Sequence, residues 1–149
     1  MKHLTKFLIL AAMVISGCSQ KQLSYTDYVD TKIGTGGHGH VFVGANVPFG
    51  LVQLGPTSIP QEWDWCSGYH VSDSTVIGFS HTHLSGTGIG DLFDITVMPV
   101  VGDSVTFARG TEDDQHSGLW SYADRTQEVS KPGYYSVPLT RYGITAEMT

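Results

Sequence analysis

The expected architecture follows from two short stretches near the end of the sequence, Tyr-Tyr-Ser-Val-Pro-Leu at residues 134–139 and Ile-Thr-Ala-Glu-Met at residues 144–148. Both combine aromatic or β-branched side chains with partial alternation of apolar and polar residues, which is typical of strands with one solvated face. Apolar residues nowhere recur with helical spacing over three turns. Five further short apolar stretches, each bounded by Gly, Pro, Asp or Ser, lie at 49–54, 75–79, 92–101, 105–108 and 119–122. This pattern predicts an all-β, antiparallel sandwich or barrel.

The composition supports a single globular domain. The chain has 149 residues, of which 40% are hydrophobic and 15% charged, and it contains 18 glycines. Charged residues are fewer than the roughly 25% of an average soluble domain, and glycine is more frequent, so turns are abundant and helix bundles, coiled coils and disorder are disfavoured. The net charge is −6 and no basic cluster follows the N-terminus, which argues against nucleic-acid binding.

The N-terminus is typical of a lipoprotein signal peptide. Lys2 and Lys6 precede the apolar run 7–15, which is too short to span a bilayer. The next residues, Ile-Ser-Gly-Cys at 15–18, resemble the bacterial lipobox. We therefore expect residues 1–17 to be removed, Cys18 to be lipidated, residues 18–26 to form a tether, and the protein to be periplasmic and lipid-anchored, with surface exposure left open. The alternative is an ordinary signal peptide followed by a chance cysteine.

Loop-forming and chemically active residues concentrate in one half of the chain. Residues 34–90 hold 12 of the 18 glycines and five of the seven histidines. Long loops within a compact domain are usually functional. The sequence also stops at Thr149 within an apparent strand, so we expect it to be truncated.

Two short motifs in this half allow more than one interpretation. Residues 34–39 satisfy the G-x-G-x-x-G pattern, but no helix can follow before Pro48, so a dinucleotide site is not expected. The H-x-H pairs at 38–40 and 81–83 place imidazoles on one face of a strand, where they could bind a transition metal. They could equally be loop histidines that bind a ligand or the protein directly.

An aromatic cluster occupies residues 62–70. Trp63, Trp65 and Tyr69 alternate with polar residues, so the rings could stack on a sugar while Asp, Ser and His bind its hydroxyls, or they could be buried at the edge of the core. Cys66 has no neighbouring base in the sequence, which makes nucleophilic catalysis by it unconvincing. Asp91 and Asp94 are better explained as turn-capping carboxylates than as catalysts.

Taken together, these segments resemble the N-terminal domain of glycoside hydrolase family 92, the calcium-dependent exo-α-mannosidases. The resemblance runs in order over about residues 27–149. Its motifs are at 33–40, 47–54, 63–70, 78–88 with Asp91, and 132–137.

The resemblance implies a β-sandwich that is followed, in the family, by a helical (α/α)₆ barrel. Family members hydrolyse terminal α-linked mannose with inversion, which requires an acid and a base about 6.5–9.5 Å apart. In the family these carboxylates and most calcium contacts belong to the barrel. The resemblance therefore implies no catalytic or metal-binding residue in this chain, calcium bound mainly by the other domain, and an inactive chain in isolation.

The resemblance also implies which residues line the sugar site. They are expected to stack on mannose or bind its hydroxyls in the −1 and +1 subsites, and they are Gly37, His38, Trp65, Cys66, His81 and His83. The expected partners are mannose-containing glycans, the helical domain, and a membrane through the lipid on Cys18. The alternative function is a stand-alone carbohydrate- or metal-binding sandwich lipoprotein.

Overall fold

The computed structural model describes residues 22–47, 50–103, 105, 107 and 118–149. Within these ranges the helical elements are three short 3₁₀ turns, at Tyr25–Tyr28, Gly37–Gly39 and Trp63–Trp65. The strands of the same ranges are β1 Gly55–Thr57, β2 Thr75–Val76, β3 Gly78–Ser80, β4 Thr96–Val97, β5 Ser121–Tyr122, β6 Val129–Lys131, β7 Tyr134–Leu139 and β8 Ile144–Met148.

All the strand pairs are antiparallel. The strands form a β1-β3-β4 sheet, a β2-β5 pair and a β6-β7-β8 sheet. An isolated bridge between Ala123 and Leu139 joins the end of β5 to β7, and the Ile77 amide donates to the Thr57 carbonyl oxygen to join the first two sheets. The predicted all-β antiparallel sandwich is therefore confirmed.

The hydrophobic core lies between the sheets. In β7, Tyr135, Val137 and Leu139 share one face because side chains alternate along a strand, and all three are fully buried. They pack in one cluster with Val76 of β2 and Phe79 of β3. The other buried members of this cluster are Phe42, Val43, Ala45, Tyr69, Ala123 and Met148.

Not every predicted strand forms as expected. The stretches 134–139 and 144–148 match β7 and β8. The stretch 75–79 is divided at Ile77 into β2 and β3, and the stretches 92–101 and 119–122 contain only the two-residue strands β4 and β5. No strand forms at 50–54, while residue 49 and part of 105–108 lie outside the described residues.

The N-terminal predictions fall largely outside the structure. Residues 1–21, which include the predicted signal peptide, Cys18 and most of the tether, are not among the described residues. In the part of the chain that is described, no helix has the length and apolar character needed to cross a membrane.

A buried ionic network joins the β6-β7-β8 sheet to the loop half of the chain. The Glu128 carboxylate accepts hydrogen bonds from Arg125 (2.5 Å) and from the Tyr135 hydroxyl (2.6 Å), and it pairs with Lys32 (2.6 Å). Arg125 also donates to the carbonyl oxygen of Asp73 through Nε and Nη2, at 3.1 and 3.0 Å. This network supports the segment around Asp73, which in turn contacts the candidate site.

Candidate functional site

Three loop segments meet on one side of the sandwich: residues 34–40, 63–70 and 83–91. The Gly86 amide donates to the His40 carbonyl oxygen (2.8 Å), and the Asp91 amide donates to the Cys66 carbonyl oxygen (2.9 Å). The indole Nε1 of Trp63 donates to the Gly88 carbonyl oxygen (2.6 Å). These bonds hold the glycine-rich loop, the aromatic turn and the third loop together.

An exposed histidine and a carboxylate form the first part of the site. His38 Nδ1 lies 2.5 Å from Asp64 Oδ1. This hydrogen bond lowers the pKa of Asp64 below its ordinary value, against the opposing effect of desolvation, and the charges of His38 and His40 act in the same direction. His40 approaches the same oxygen with its Nε2 at 3.6 Å. It is buried, and its Nε2 has no hydrogen-bond partner among the described residues.

Trp63 lies beside this pair. Its ring centroid is 4.2 Å from that of His40, in an edge contact, and 5.3 Å from that of His38. Gly88 faces the ring so closely that a Cβ there would lie 3.2 Å from Trp63 Cζ2. The indole therefore has a fixed orientation although 57% of the residue is exposed.

Trp65 is fixed from the other side of the aromatic turn. Its Nε1 donates to Asp73 Oδ2 (2.6 Å), and its ring stacks on His70 at a centroid distance of 4.4 Å. Asp73 Oδ2 also accepts from Gln61 Nε2 (3.0 Å), and Asp73 Oδ1 accepts from the Thr75 amide (2.7 Å). Asp73 thus connects Trp65 to the ionic network of Arg125 and Glu128.

A cavity of about 200 Å³ opens next to Trp65 and Cys66. The Ser58 hydroxyl is buried without a hydrogen-bond partner among the described residues, and Ser58 lines this cavity. Burial, followed by the charges of Asp91 and Asp64, raises the pKa of the Cys66 thiol, so the thiol is protonated and unreactive near neutral pH. The remaining lining residues are Thr57, Pro60, Gln61, Glu62, Gly68, Gly90 and Phe93.

The structure places His83 behind this cavity, in the protein interior. The residue is 1% exposed, and its ring stacks on Phe42 at 4.8 Å. Its Nδ1 lies 2.9 Å from the Ser67 carbonyl oxygen and its Nε2 lies 3.2 Å from the Gly55 carbonyl oxygen. In this position the ring holds the backbone after Cys66 against strand β1.

The predicted site residues therefore divide into three groups. The first group lies in or next to two 3₁₀ turns that contact each other, Gly37–Gly39 and Trp63–Trp65. Its members are Gly37, His38, Trp65 and Cys66. His83 lies in the interior and approaches this group at the carbonyl oxygen of Ser67, the residue after Cys66. His81 lines a different groove, between β3, β4 and β8, and its Nδ1 lies 2.9 Å from the Ile95 carbonyl oxygen.

The two H-x-H pairs do not form a metal centre. Within the described residues, no group of three or more His, Cys, Asp or Glu side chains is arranged to hold a metal ion.

Three residues of the site were not among those predicted. Asp64 lies within the aromatic cluster, where the sequence indicated polar groups for sugar hydroxyls without distinguishing among them. Asp73 and Ser58 contact the site across turns of the chain, and no spacing in the sequence indicates these contacts.

The comparisons of this chain with known proteins all find similarity to one family. The glycosyl hydrolase family 92 N-terminal domain matches residues 28–149. A family 92 α-mannosidase from Bacteroides thetaiotaomicron is 42% identical, with a TM-score of 0.81 over 87% of this chain and 17% of that chain. Its structure in complex with mannoimidazole gives 44% identity and a TM-score of 0.77, over 83% of this chain and 16% of that one.

A curated relative is similar over nearly the whole chain. An uncharacterized secreted glycosidase of Arthroderma benhamiae is 30% identical over 146 residues, which are 95% of this chain and 18% of that protein. The chain thus spans less than a fifth of the length of the relatives it resembles. Because the family match covers most of the chain and the solved relatives share its fold, the chain belongs to glycosyl hydrolase family 92, as an N-terminal domain of that family.

Proposed function

We propose that this chain supplies the sugar-binding, N-terminal part of an exo-α-mannosidase that removes terminal α-linked mannose from glycans with inversion of configuration. The observation that supports it most strongly is the small cavity beside Trp65 and Cys66. Its volume of about 200 Å³ suits one sugar ring better than an extended ligand. The solved relative with mannoimidazole is an α-mannosidase, which favours mannose as that sugar.

The lining of the cavity suits a hexose. Trp65 offers an aromatic surface for the C–H groups of a sugar, and its bond to Asp73 and its stack on His70 prevent the ring from turning away. The unpartnered Ser58 hydroxyl, together with Gln61 and Glu62, provides donors and acceptors for sugar hydroxyls. Binding a hydroxyl at Ser58 would also satisfy a buried polar atom that otherwise has no partner.

His38 and His83 have different roles in this proposal. His38 is exposed next to the aromatic turn and is not one of the residues that line the cavity, so we assign it to a part of the mannoside that extends beyond the cavity. His83 acts indirectly, because both of its ring nitrogens lie at backbone carbonyl oxygens and its ring is covered by Phe42. It keeps the residues after Cys66 in place at the bottom of the cavity.

The catalytic acid and base and the calcium contacts are assigned to a helical domain outside this chain. Among the described residues, no group of three or more His, Cys, Asp or Glu side chains is placed to hold a metal ion. The role that we propose for this chain is to bind and orient the sugar. We further propose that the mature protein is exported and anchored in the periplasm through Cys18. The name of the Arthroderma benhamiae relative, a secreted glycosidase, supports export.

The test compares this chain with a longer protein that joins it to a family 92 helical domain. We expect mannose release from α-mannobiose, with calcium present, only in the longer protein, and a chelator should abolish it. Positioning of reacting groups contributes roughly 7–11 kcal/mol in enzymes, so a sugar-binding part alone should show no measurable rate. Chelator-sensitive turnover by this chain alone would contradict the assignment.

In the longer protein, Trp65→Ala tests the cavity itself. Loss of the aromatic wall should cost about 1–3 kcal/mol of transition-state stabilisation, or roughly 5- to 150-fold in kcat/KM. The matched control is Tyr28→Ala, which removes an exposed aromatic ring from the first 3₁₀ turn and should leave kcat/KM unchanged. Unchanged kinetics in a folded Trp65→Ala protein would show that the ring is only structural.

A further inference from the structure

The imidazole of His38 has one nitrogen bound and one nitrogen open. Nδ1 lies 2.5 Å from Asp64 Oδ1, and the side chain is 76% exposed. The described part of the chain offers no partner to Nε2. A neutral imidazole has one donor nitrogen and one acceptor nitrogen, so whichever group binds Nδ1 determines what Nε2 presents to a ligand.

When Asp64 is ionised, its carboxylate has no hydrogen to donate and can act only as a hydrogen-bond acceptor. Its hydrogen bond with His38 lowers the pKa of its carboxyl group, so the carboxylate form is present at neutral pH. The hydrogen in the short Nδ1···Oδ1 contact must therefore be on His38 Nδ1. This arrangement excludes the neutral form in which Nε2 holds the hydrogen.

The surroundings fix the geometry of this pair. Asp64 lies within the 3₁₀ turn Trp63–Trp65, and His38 lies within the 3₁₀ turn Gly37–Gly39, so the bond joins the glycine-rich loop to the aromatic turn. His40 Nε2, buried and without a hydrogen-bond partner among the described residues, faces the same carboxylate oxygen from 3.6 Å. Gly37 has a φ of +53° and nothing within 4 Å of the position of a Cβ, so a ligand has room beside His38.

We propose that Asp64 is a positioning residue that keeps a hydrogen on His38 Nδ1, so that His38 Nε2 accepts a hydrogen bond from a hydroxyl of the bound mannoside. The choice of hydrogen position follows from the short contact between His38 Nδ1 and the Asp64 carboxylate. The identity of the ligand rests on the proposed function. Removal of Asp64 would convert Nε2 from an acceptor into a donor in most molecules and would change which hydroxyl orientation the site accepts.

The first test needs no ligand. The full chain, with ¹⁵N-labelled histidine, is studied by two-bond ¹⁵N–¹H correlation NMR at pH 8. We expect the His38 Nδ1 resonance to have the shift of a protonated nitrogen and Nε2 that of an unprotonated one. His81 is an internal reference, because its Nδ1 lies 2.9 Å from the carbonyl oxygen of Ile95, which can only accept.

Two variants separate the role of Asp64 from general effects on charge. Asp64→Ala should exchange the two His38 nitrogen shifts and leave those of His81 unchanged, provided that the amide spectrum stays dispersed. Asp94→Ala removes an exposed carboxylate that accepts from Thr82, and it should leave His38 unchanged. An Nε2–H form of His38 in the wild type, or an unaltered pattern in a folded Asp64→Ala chain, would overturn the proposal.

The second test adds methyl α-mannoside. We expect the ligand to shift the His38 Nε2 resonance together with the indole resonance of Trp65. If only Trp65 responds, the proposed sugar site stands and His38 as its acceptor is wrong. If neither responds, the proposed function fails along with the ligand part of the inference, while the hydrogen position is still decided by the first test.

Discussion

Replacing Glu128 by glutamine removes the negative charge at the centre of the network that supports Asp73 and, through it, Trp65. Glu128 has a side-chain exposure of 0%, and its carboxylate is bound by Arg125, Tyr135 and Lys32. Glutamine has nearly the same volume and can still accept from Tyr135. The substitution therefore isolates the loss of charge from the creation of a cavity.

The structure sets the size of the expected effect. Removing one partner of a buried ion pair lowers the free energy of unfolding by about 3–5 kcal/mol, because the remaining charge stays buried without a counter-charge. Arg125 is only 16% exposed but keeps its two bonds to the Asp73 carbonyl oxygen, so we expect the lower end, about 3 kcal/mol. Lys32→Met is the matched control. Lys32 is 38% exposed, so water screens its ion pair with Glu128, and the loss of this pair should lower the free energy of unfolding by less than about 1 kcal/mol.

The pH dependence gives a second, independent measurement. Burial by itself raises the pKa of Glu128, but the charge of Arg125 and the hydrogen bonds from Lys32 and Tyr135 outweigh burial and lower it below the ordinary value of 4.5. A carboxyl group with a lowered pKa stabilises the fold above its unfolded-state pKa, and this stabilisation is lost as the pH falls through the folded-state pKa. Urea unfolding should therefore show a difference between wild type and Glu128→Gln that is full at pH 7 and narrows below pH 4.5. Equal stabilities at pH 7, or a difference that does not change with pH, would refute this reasoning.

Three further outcomes are expected. A positive φ strains a residue with a side chain by about 1–3 kcal/mol. Gly68→Ala should destabilise the chain by more than this, because φ is +80° and the new Cβ would also lie 2.7 Å from Phe93, whereas Gly86→Ala, with φ +71° and open space around the Cβ, should cost only the backbone strain. Equal urea midpoints for the two variants would contradict this. In a chain with Cys18→Ala, iodoacetamide should modify Cys66 more slowly than in the urea-unfolded chain, with a rate that still rises above pH 9.0, because burial raises the pKa of the thiol. Finally, a fatty-acid analogue should label the wild type in bacteria and not Cys18→Ala, and equal labelling of both would exclude lipidation at this residue.

The prediction from sequence is correct for the two strands whose own pattern of apolar side chains indicates a strand. Residues 134–139 and 144–148 pair along their length, and their apolar side chains face the core. Strand β1 was missed because it begins with Gly55 and Pro56, residues that usually interrupt strands. The reason for the glycine lies elsewhere in the chain, because a Cβ at this position would be 2.4 Å from the carbonyl oxygen of Val43.

The apolar stretch 92–101 shows the opposite error. Leu92 and Ile95 are mostly exposed, and only two residues of the stretch pair with β3. Hydrophobicity predicted a strand there, but the backbone pairing that makes a strand depends on a partner that the local sequence does not reveal.

The site was predictable to a similar extent. The resemblance to family 92 predicts roles for His38 and Trp65 in sugar binding, and the structure brings these two residues to adjoining turns, while the roles themselves stay predictions. It could not separate His81, His83 and His38 by environment, because an H-x-H motif has the same appearance in a surface loop and in a core. Asp73 was beyond prediction, since its contact with Trp65 depends on how two turns fold back on each other.

One part of the chain is held by pairs of strands that are neighbours in sequence, and another by contacts between distant loops, and this difference has a consequence for the order of folding. Among the described residues, the sheet of β6, β7 and β8 is built from pairs of strands that are neighbours in sequence, and one isolated bridge, between Ala123 and Leu139, joins it to the segment after β5. The site half depends on distant contacts, such as the Val71 amide with the Thr35 carbonyl oxygen and the Gly86 amide with that of His40. Contacts between distant residues cost more chain entropy and form more slowly than local ones. The C-terminal sheet of β6, β7 and β8 should therefore form first and retain its amide hydrogens longest in exchange with deuterated water, whereas the loops of the candidate site should be the last region to form and the first to open.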